Sequence, residues 1–403
     1  MSDRKRILFV DDEARILEGL RRMLRVMRSQ WDMMFAGSAA EALQELETRP
    51  YDVIVSDMRM PGMHGADLLE SVKRKYPRMV RIALSGQTSK EEVLRAVGPV
   101  HQYLPKPCDA DTLKATITRV CSFREILVNP RLQGLITQLE SLPCISSFYT
   151  ELIEELHSDD ASVQKVSGII SQDIGMTVKV LQMVNSAFFG VRQHVQSLAQ
   201  AVTLLGLETI RSLALTAKIF SCFEPVSLQN FSIHSLWQHC VEIGEHAKRI
   251  ARLEEVDDLI ADHALLSGML HDVGKLIFAT QLPEEYDRTL AAAREQRVPL
   301  FEMERERIGA THAEVGAYLL GLWGFKEPII ETLVYHHTPQ ASPYKVFSVL
   351  TAVCTANQLS LANSASPMPT PEKSYIEYLE ELHLSDRLPF WREVCRGKSP
   401  VSC

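Results

Sequence analysis

The chain has 403 residues, a length that allows two or three domains. Of these residues 46% are hydrophobic and 23% are charged, a composition typical of a folded protein rather than a disordered chain. The formal net charge of −8 is uneven: residues 1–120 hold 20 Lys and Arg against 17 Asp and Glu, and residues 121–403 hold 23 against 34. This acidic C-terminal two-thirds disfavours DNA binding, because phosphate contacts need clustered basic side chains.

The first 120 residues alternate between short apolar runs and amphipathic stretches. The runs predict strands at 7–10, 33–36, 53–55, 80–84 and 102–104. The stretches predict helices at 13–28, 39–47, 66–75, 90–97 and 111–121. Such alternation predicts an α/β fold with a five-stranded, doubly wound parallel sheet. In these sheets functional residues collect at the carboxyl ends of the strands.

After residue 121 the strand pattern stops. Residues 123–142 predict a continuing helix that is broken near Asn129 and Pro130, as at a joint between domains. From there to about residue 361 the chain is predicted to be all-α. Helices are predicted at 147–156, 163–171, 177–185, 197–204, 208–220, 233–251, 260–278, 284–296, 301–308, 312–323, 327–337 and 344–359. One short helix and a loose tail are expected in the last thirty residues. The predicted units are therefore 1–122, a helical linker at 123–138, 139–361, and a C-terminal segment at 362–403.

Cysteine usage and hydropathy predict the compartment. The eight cysteines include no CxxC pair, which is typical of reduced thiols in the cytosol. The N-terminus does not have the pattern of a signal peptide. The uncharged stretch 346–371 contains Asn, Gln, Ser and Pro, so it predicts a buried helix followed by a loop rather than a membrane span. A cytoplasmic protein without membrane contact is expected.

Chemically reactive residues follow several of the predicted strands. Asp11 and Asp12 follow the first strand, Asp57 the third, Ser85 the fourth and Lys106 the fifth. One rim of the sheet would bring them together, where three carboxylates would repel each other unless a cation lay among them. Hard oxygen ligands suit Mg²⁺. One carboxylate can then act as nucleophile toward a phosphoryl donor, with the cations neutralising charge on the transferred group.

This pattern resembles the response-regulator receiver domain over residues 4–121. The resemblance implies that Asp57 is the phosphoacceptor of a sensor histidine kinase and that Mg²⁺ binds to Asp11, Asp12, Asp57 and the backbone carbonyl of Arg59. It also implies that Ser85 and Tyr103 form the switch pair, and that Lys106 and a cis-bonded Pro107 complete the site. By analogy with the family, phosphorylation is expected to promote a homodimer.

Eight of the thirteen histidines lie between His234 and His337. The candidate metal ligands among them and their neighbours are His239, His271, Asp272, His312, His336 and His337. Imidazoles and a carboxylate from separate helices can build a metal centre that activates a water for phosphoester hydrolysis. The alternative is that these histidines are structural, hydrogen-bonded at helix ends. The charged residues 302–307 are interpreted as a solvated helix face.

Residues 139 to about 361 resemble an HDOD domain, a relative of the HD phosphohydrolases. The resemblance rests on segments such as IISQDIGMTVKVLQMVNSAFFG, GMLHDVGKL and VYHHTP. Two departures stand out: Asn357 occupies the place of a late carboxylate ligand, and no GYP sequence follows the paired histidines. Asn357 should weaken the binding of a second divalent metal in this region.

The favoured interpretation is a non-catalytic HDOD output that acts through an unknown downstream protein partner. The alternative is a receiver-regulated metal-dependent phosphohydrolase acting on cyclic di-GMP or another nucleotide. Nucleotide binding without cleavage is a third interpretation, which the sequence does not separate from the first.

Overall fold

The computed structural model describes residues 4–85, 100–139, 142–144, 146–158, 160–184, 195, 197–207, 210, 221–222, 228–363 and 373–396. The predicted helices at 90–97 and 208–220 and the segment 185–190 lie wholly or mainly outside these residues. The side chain of Ser85 also lies outside them.

Five parallel strands form the N-terminal sheet, in the order β2-β1-β3-β4-β5. They are β1 (Lys5–Val10), β2 (Trp31–Ala36), β3 (Val53–Asp57), β4 (Val80–Ser85) and β5 (Gln102–Pro105). Parallel pairing places Asp57 opposite Leu84 and Ser85 opposite Pro105, so the carboxyl ends of these strands share one edge. The predicted sheet is therefore confirmed, and it concentrates the predicted site residues at that edge.

Helices cover the sheet on both faces. They are α1 (Ala14–Met23), α2 (Ala39–Thr48), α3 (Gly65–Lys75) and α4 (Ala110–Ile126). The predicted helix at 13–28 is shorter than expected, because the chain continues after α1 as a separate 3₁₀ turn at Arg25–Met27. Apolar spacing alone does not distinguish such a turn from a further turn of α-helix.

A short helix, α5 (Pro130–Ile136), follows the break predicted near residues 129–130. Asn129 caps it: the side-chain oxygen accepts hydrogen bonds from the backbone N–H groups of Arg131 and Leu132. Proline in the first turn costs no hydrogen bond there, since the first N–H groups of a helix have no partner within the helix. The local sequence thus explains both the end of α4 and the new start.

The C-terminal region is largely helical, as predicted. Its helices are α6 (Ser146–His157), α7 (Val163–Ser171), α8 (Ile174–Val184), α9 (Leu198–Leu205), α10 (Ile233–Leu253), α11 (Asp258–Leu270), α12 (Val273–Gln281), α13 (Pro283–Gln296), α14 (Leu300–Arg307), α15 (His312–Leu322), α16 (Glu327–Tyr335), α17 (Val349–Asn363), α18 (Lys373–Glu381) and α19 (Leu388–Cys395). A two-residue parallel pair, β6 (Pro143–Cys144) with β7 (Ser221–Cys222), departs from the all-α expectation. Two residues are too few to leave a periodic pattern in the sequence.

The predicted helix at 260–278 is wrong in one respect, because two helices, α11 and α12, occupy this stretch. His271 and Asp272 lie in the turn between them. At Gly274 a Cβ atom would lie 1.9 Å from the backbone oxygen of His312. The start of α12 therefore packs directly on the start of α15, a contact that only glycine permits here and that apolar periodicity could not predict.

Two helices, rather than the single one expected, lie in the described part of the C-terminal segment. Both pack on the bundle through fully buried aromatic side chains, among them Tyr378 and Trp391. The indole N–H of Trp391 donates a 2.7 Å hydrogen bond to Glu254 at the end of α10. The segment therefore closes one side of the hydrophobic core formed by α10, α11 and α17.

The hydrophobic core is continuous between the N-terminal sheet and the helical region. A single cluster of buried residues includes Ile117 and Phe123 of α4 as well as Leu319 and Leu322 of α15. Helix α4 thus packs on α15 with apolar side chains from both domains. Because burial of apolar surface is the main favourable term in association, this contact holds the two domains together.

Candidate functional site

The carboxyl edge of the N-terminal sheet holds a pocket of acids around one lysine. Nζ of Lys106 lies 2.7 Å from Oδ2 of Asp11 and 2.7 Å from Oδ1 of Asp57. With Asp12 these acids form a group in which one carboxylate oxygen from each residue lies within 4.8 Å of the others. The structure thus brings together four of the residues that the sequence singled out.

The three acids differ in how far they are buried. Asp11 is fully buried and Asp57 is 7% exposed, whereas Asp12 is exposed. Burial raises the pKa of Asp57, while the adjacent Lys106 ammonium acts in the opposite direction. A cluster of oxygen ligands open to solvent on one side suits Mg²⁺, which keeps several waters. The donor set therefore fits the cation that the sequence predicts.

The loop after β3 is packed tightly beneath the pocket. A Cβ atom at Gly65 would lie 1.9 Å from the backbone oxygen of Asp57, so α3 begins directly against the end of the strand. The peptide bond between Lys106 and Pro107 is cis, as the resemblance implied. Tyr103 lies on β5 and packs against the hydrophobic cluster between the sheet and helices α2 and α3. Burial there raises the pKa of its phenol. The roles of Ser85, Tyr103 and the Arg59 carbonyl stay predictions.

The helical region holds a second cluster, centred on the fully buried carboxylate of Asp272. Its Oδ1 atom lies 3.2 Å from Nε2 of His312 and 3.7 Å from Nε2 of His336. Nε2 of His337 lies 2.8 Å from Nε2 of His312. Ligand atoms of these four residues all lie within 4.8 Å of one another.

The other oxygen of Asp272 faces a second group of side chains. Oδ2 lies 3.4 Å from Nε2 of His271, 3.8 Å from Nε2 of His239, and 2.6 Å from Nζ of Lys275. The Asn357 side chain is a hydrogen-bonding neighbour of His239. The structure therefore brings all seven predicted candidates of this region together, from six different helices or their ends.

The ring orientation of three histidines is fixed by a contact at Nδ1, while Nε2 of each ring faces Asp272. Each Nδ1 atom lies at hydrogen-bond distance from an oxygen atom: His271 from Gly268 O at 2.7 Å, His336 from Leu333 O at 2.8 Å, and His312 from Glu304 Oε2 at 2.6 Å. Histidines that bind metals commonly donate Nδ1–H in this way, which leaves the Nε2 lone pair for the ion. All three Nε2 atoms face Asp272.

Two of these Nε2 atoms, in His271 and His336, are buried and have no hydrogen-bond partner in the part of the chain that the structure describes. Burial lowers the pKa of His271 to about 4 and holds the pKa of His336 well below its ordinary value, so both rings are neutral at pH 7. Buried polar atoms are rarely left unpaired. Neutral imidazoles and a carboxylate that converge in this way fit a divalent transition metal.

The charges of the cluster are coupled. Burial alone would raise the pKa of Asp272, but the neighbouring His271 and Lys275 hold it well below its ordinary value. Burial alone would lower the pKa of Lys275, and Asp272 raises it instead. The two side chains therefore form a part-buried ion pair, with Oδ1 of Asp272 directed at the histidines.

Two residues of this site were missed by the sequence predictions. Lys275 lies three residues after Asp272, a spacing that places them on neighbouring turns and could have suggested the pair. Glu304 lies within a run of charged residues and was assigned to a solvated helix face, which is wrong: it is fully buried. Its carboxylate accepts hydrogen bonds from His312, a contact across helices that no local pattern records.

In the described residues no helix has the length and apolar character needed to cross a membrane.

Comparisons with known proteins find two families in the chain. A family model for the response regulator receiver domain matches residues 7–118, and one for the HDOD domain matches residues 142–339. An uncharacterized protein of Treponema pallidum is 25% identical over 246 residues, covering 60% of this chain and 47% of that protein. The hydrogenase transcriptional regulatory protein HoxA of Cupriavidus necator is 38% identical over 120 residues, covering 29% of this chain and 24% of that protein.

This chain therefore spans less than half the length of these two relatives. Among solved structures, a virulence factor from Campylobacter jejuni is 24% identical, with a TM-score of 0.50. The similarity covers 68% of this chain and 99% of that chain. At this identity the likeness shows the fold alone.

Proposed function

Because the chain is a response regulator in which a receiver domain is joined to an HDOD domain, we propose that Asp57 accepts a phosphoryl group from a sensor histidine kinase. The observation that carries this proposal is the ammonium of Lys106 between Asp11 and Asp57, at 2.7 Å from each. A cation at this position can neutralise charge on an arriving phosphoryl group. The chain is proposed to comprise a receiver domain at 1–122, a helical linker at 123–138, an HDOD domain at 139–361 and a C-terminal segment at 362–403.

Asp11, Asp12 and Asp57, with the Arg59 carbonyl, would hold Mg²⁺ in this pocket. The ion would supply charge neutralisation during transfer. The protein's own contribution is positional: Lys106 holds the buried Asp57 carboxylate by an ion pair, and Gly65 fixes the backbone beneath it. Ser85 and Tyr103 are proposed to form the switch that senses the phosphoryl group.

The test is incorporation of phosphate from acetyl phosphate into the full chain in the presence of Mg²⁺. Asp57→Asn should abolish incorporation, whereas Asp67→Asn, an exposed carboxylate on α3, should leave it unchanged. Incorporation by Asp57→Asn at the wild-type level would overturn the assignment. Light scattering of the phosphorylated chain tests the proposed homodimer.

A specific observation favours a second function for the HDOD region, a divalent metal centre with phosphohydrolase activity. The buried Nε2 atoms of His271 and His336 converge on Asp272 and lack other partners among the described residues. His239, His312 and His337 complete the set of nitrogen ligands. Such a centre would supply an activated water, while Lys275 keeps Asp272 ionised and oriented.

Asn357 is the feature that weighs against turnover, because it contributes no negative charge where HD hydrolases carry a carboxylate. The test is metal content after reconstitution with Mn²⁺, together with hydrolysis of cyclic di-GMP and bis(p-nitrophenyl) phosphate. Asp272→Asn should remove both metal and turnover, and the exposed Asp258→Asn should change neither. Metal or turnover retained at the wild-type level in Asp272→Asn would contradict the centre.

A protein without turnover would leave two interpretations, an output that acts through a downstream protein partner and nucleotide binding without cleavage. Residence in the cytoplasm and the absence of DNA and membrane partners stay predictions from the sequence.

A further inference from the structure

Two helices that carry site residues form an antiparallel hairpin, here called the ligand hairpin (α15, residues 323–326 and α16). His312 is the first residue of α15, and His336 follows the last residue of α16. Nε2 of His312 lies 2.8 Å from Nε2 of His337, so the start of one helix meets the end of the other. The turn at 323–326 therefore lies at the opposite end, about 16 Å away for a helix of this length.

The receiver domain contacts this opposite end. The side-chain amide of Gln102, on β5, donates hydrogen bonds to the backbone oxygens of Gly321 at 3.2 Å and Leu322 at 3.0 Å. Both bonds are buried. These carbonyl groups lie in the last turn of α15, and the Gly321 oxygen also accepts a hydrogen bond from the backbone N–H of Gly324.

A second contact comes from α4 of the receiver domain. A Cβ atom at Gly321 would lie 2.5 Å from the ring of Phe123, so α15 touches this ring directly. The guanidinium of Arg119, also on α4, donates a 3.3 Å hydrogen bond to the Gln102 side-chain oxygen. Arg119 also interacts electrostatically with Glu327, the first residue of α16. The receiver domain therefore holds both helices of the ligand hairpin near its turn.

Strand β5 joins these contacts to the acid pocket. Gln102 and Tyr103 are neighbours in a four-residue strand, and Lys106, which pairs with Asp57, follows its last residue. Side chains alternate between the faces of a strand, so Tyr103 faces the receiver interior while Gln102 faces α15. A displacement of the strand at the Tyr103 side must move Gln102 as well.

We propose that β5 and the ligand hairpin form the route by which the receiver domain regulates the histidine cluster. Phosphorylation of Asp57 shifts β5, the bonds from Gln102 and the packing of Phe123 move the turn of the hairpin, and the hairpin changes the position of His312 relative to His336 and His337. Packed helices move as stiff units between alternative contacts, which carries such a shift over this distance. This inference rests on the proposed phosphorylation of Asp57, but it requires no metal or turnover.

The experiment is hydrogen exchange by mass spectrometry on the full chain with Mg²⁺, with and without beryllofluoride as the phosphoryl analogue. The variant is Gln102→Met, which keeps the size of the side chain and removes the amide. The matched control is Arg131→Met, which removes the exposed ion pair between α5 and Glu285. Unchanged melting temperatures of both variants would establish that they are folded.

In the wild type and in Arg131→Met, beryllofluoride is expected to change exchange in both receiver peptides around Asp57 and hairpin peptides covering 312–337, the latter by about fivefold or more. In Gln102→Met the receiver peptides should still respond and the hairpin peptides should not. An equal hairpin response in Gln102→Met would overturn the route. So would a wild-type hairpin that does not respond while its receiver does. A receiver that does not respond at all would overturn the proposed function itself.

Should Gln102→Met melt at a lower temperature, Gly321→Ala provides the second variant. The added methyl group must displace Phe123 or α15. The hairpin peptides should then exchange differently from the wild type without beryllofluoride, and unchanged exchange there would contradict the route.

Discussion

The carboxylate of Glu304 accepts two hydrogen bonds from His312, one from its backbone N–H at 2.8 Å and one at its ring Nδ1 at 2.6 Å. Both residues are fully buried. One acid thus holds both the start of α15 and the orientation of the imidazole that faces Asp272.

Glu304→Gln is therefore expected to weaken binding of Mn²⁺ by about 10- to 100-fold, the usual effect of losing a hydrogen-bonded partner behind a metal-binding histidine. The measurement is a titration of metal into the full chain. Glu302→Gln, exposed on the same helix, is the matched control and should bind metal like the wild type. Equal affinities for the two variants would show that Glu304 has no such role.

The contact between the start of β5 and the end of α5 contains a histidine that must stay neutral. Nδ1 of His101 accepts a 2.9 Å hydrogen bond from the backbone N–H of Arg81, and Nε2 lies 3.0 Å from Thr137 O. Burial holds the pKa of His101 well below its ordinary value, and the positive charges of Arg81 and Lys73 add to this.

Because the pKa of His101 is lower in the folded state, the unfolded chain binds more protons than the folded protein as the pH falls. The stabilisation by neutral His101 is therefore complete above about pH 6.5 and is lost below it, at up to about 1.4 kcal/mol per pH unit. The free energy of unfolding of wild type and His101→Gln should converge, or cross, between pH 7 and pH 5. A difference that is constant over this range would contradict the prediction. The other histidines titrate in both proteins, so they cancel in the difference.

Gly274→Ala tests the close contact between α12 and α15. The new methyl group would overlap the backbone of His312, which cannot rotate away as a side chain could. We expect a loss of about 1–3 kcal/mol in the free energy of unfolding, with weaker metal binding because His312 moves from Asp272. The control is Gly168→Ala in α7, where a Cβ atom would meet no other part of the protein within 4 Å. The higher helix propensity of alanine should stabilise this variant by up to about 1 kcal/mol. Chemical denaturation measures both, and equal stability of the two variants would refute the argument.

The C-terminal segment is expected to stabilise the helical bundle. Trp391→Ala removes a fully buried indole and leaves Glu254 without its 2.7 Å hydrogen bond. A loss of about 3–5 kcal/mol in the free energy of unfolding is expected. Arg392→Ala, at the exposed neighbouring position, should have little effect. Urea denaturation followed by circular dichroism compares the two, and a Trp391→Ala midpoint equal to that of Arg392→Ala would mean that the segment adds no stability.

The sequence by itself determined the sheet and the acid pocket. Apolar runs that alternate with amphipathic stretches predict a parallel sheet for the first domain, and the carboxyl ends of its strands bring Asp11, Asp57 and Lys106 to one edge. The periodicity of each run and its position along the chain are local properties, so a single sequence carries them. For the same reason the histidine candidates could be named, since each stands within its own recognisable segment.

Only the tertiary structure decided how the helical region is assembled. The break at His271 and Asp272, the buried role of Glu304 and the contact from Gln102 to the end of α15 join residues that are far apart in the chain or that no pattern marks. An acid in a charged run has the same local sequence whether it faces water or a histidine. Its environment is set by the packing of other helices, which follows from the free energy of the whole core and not from any single segment.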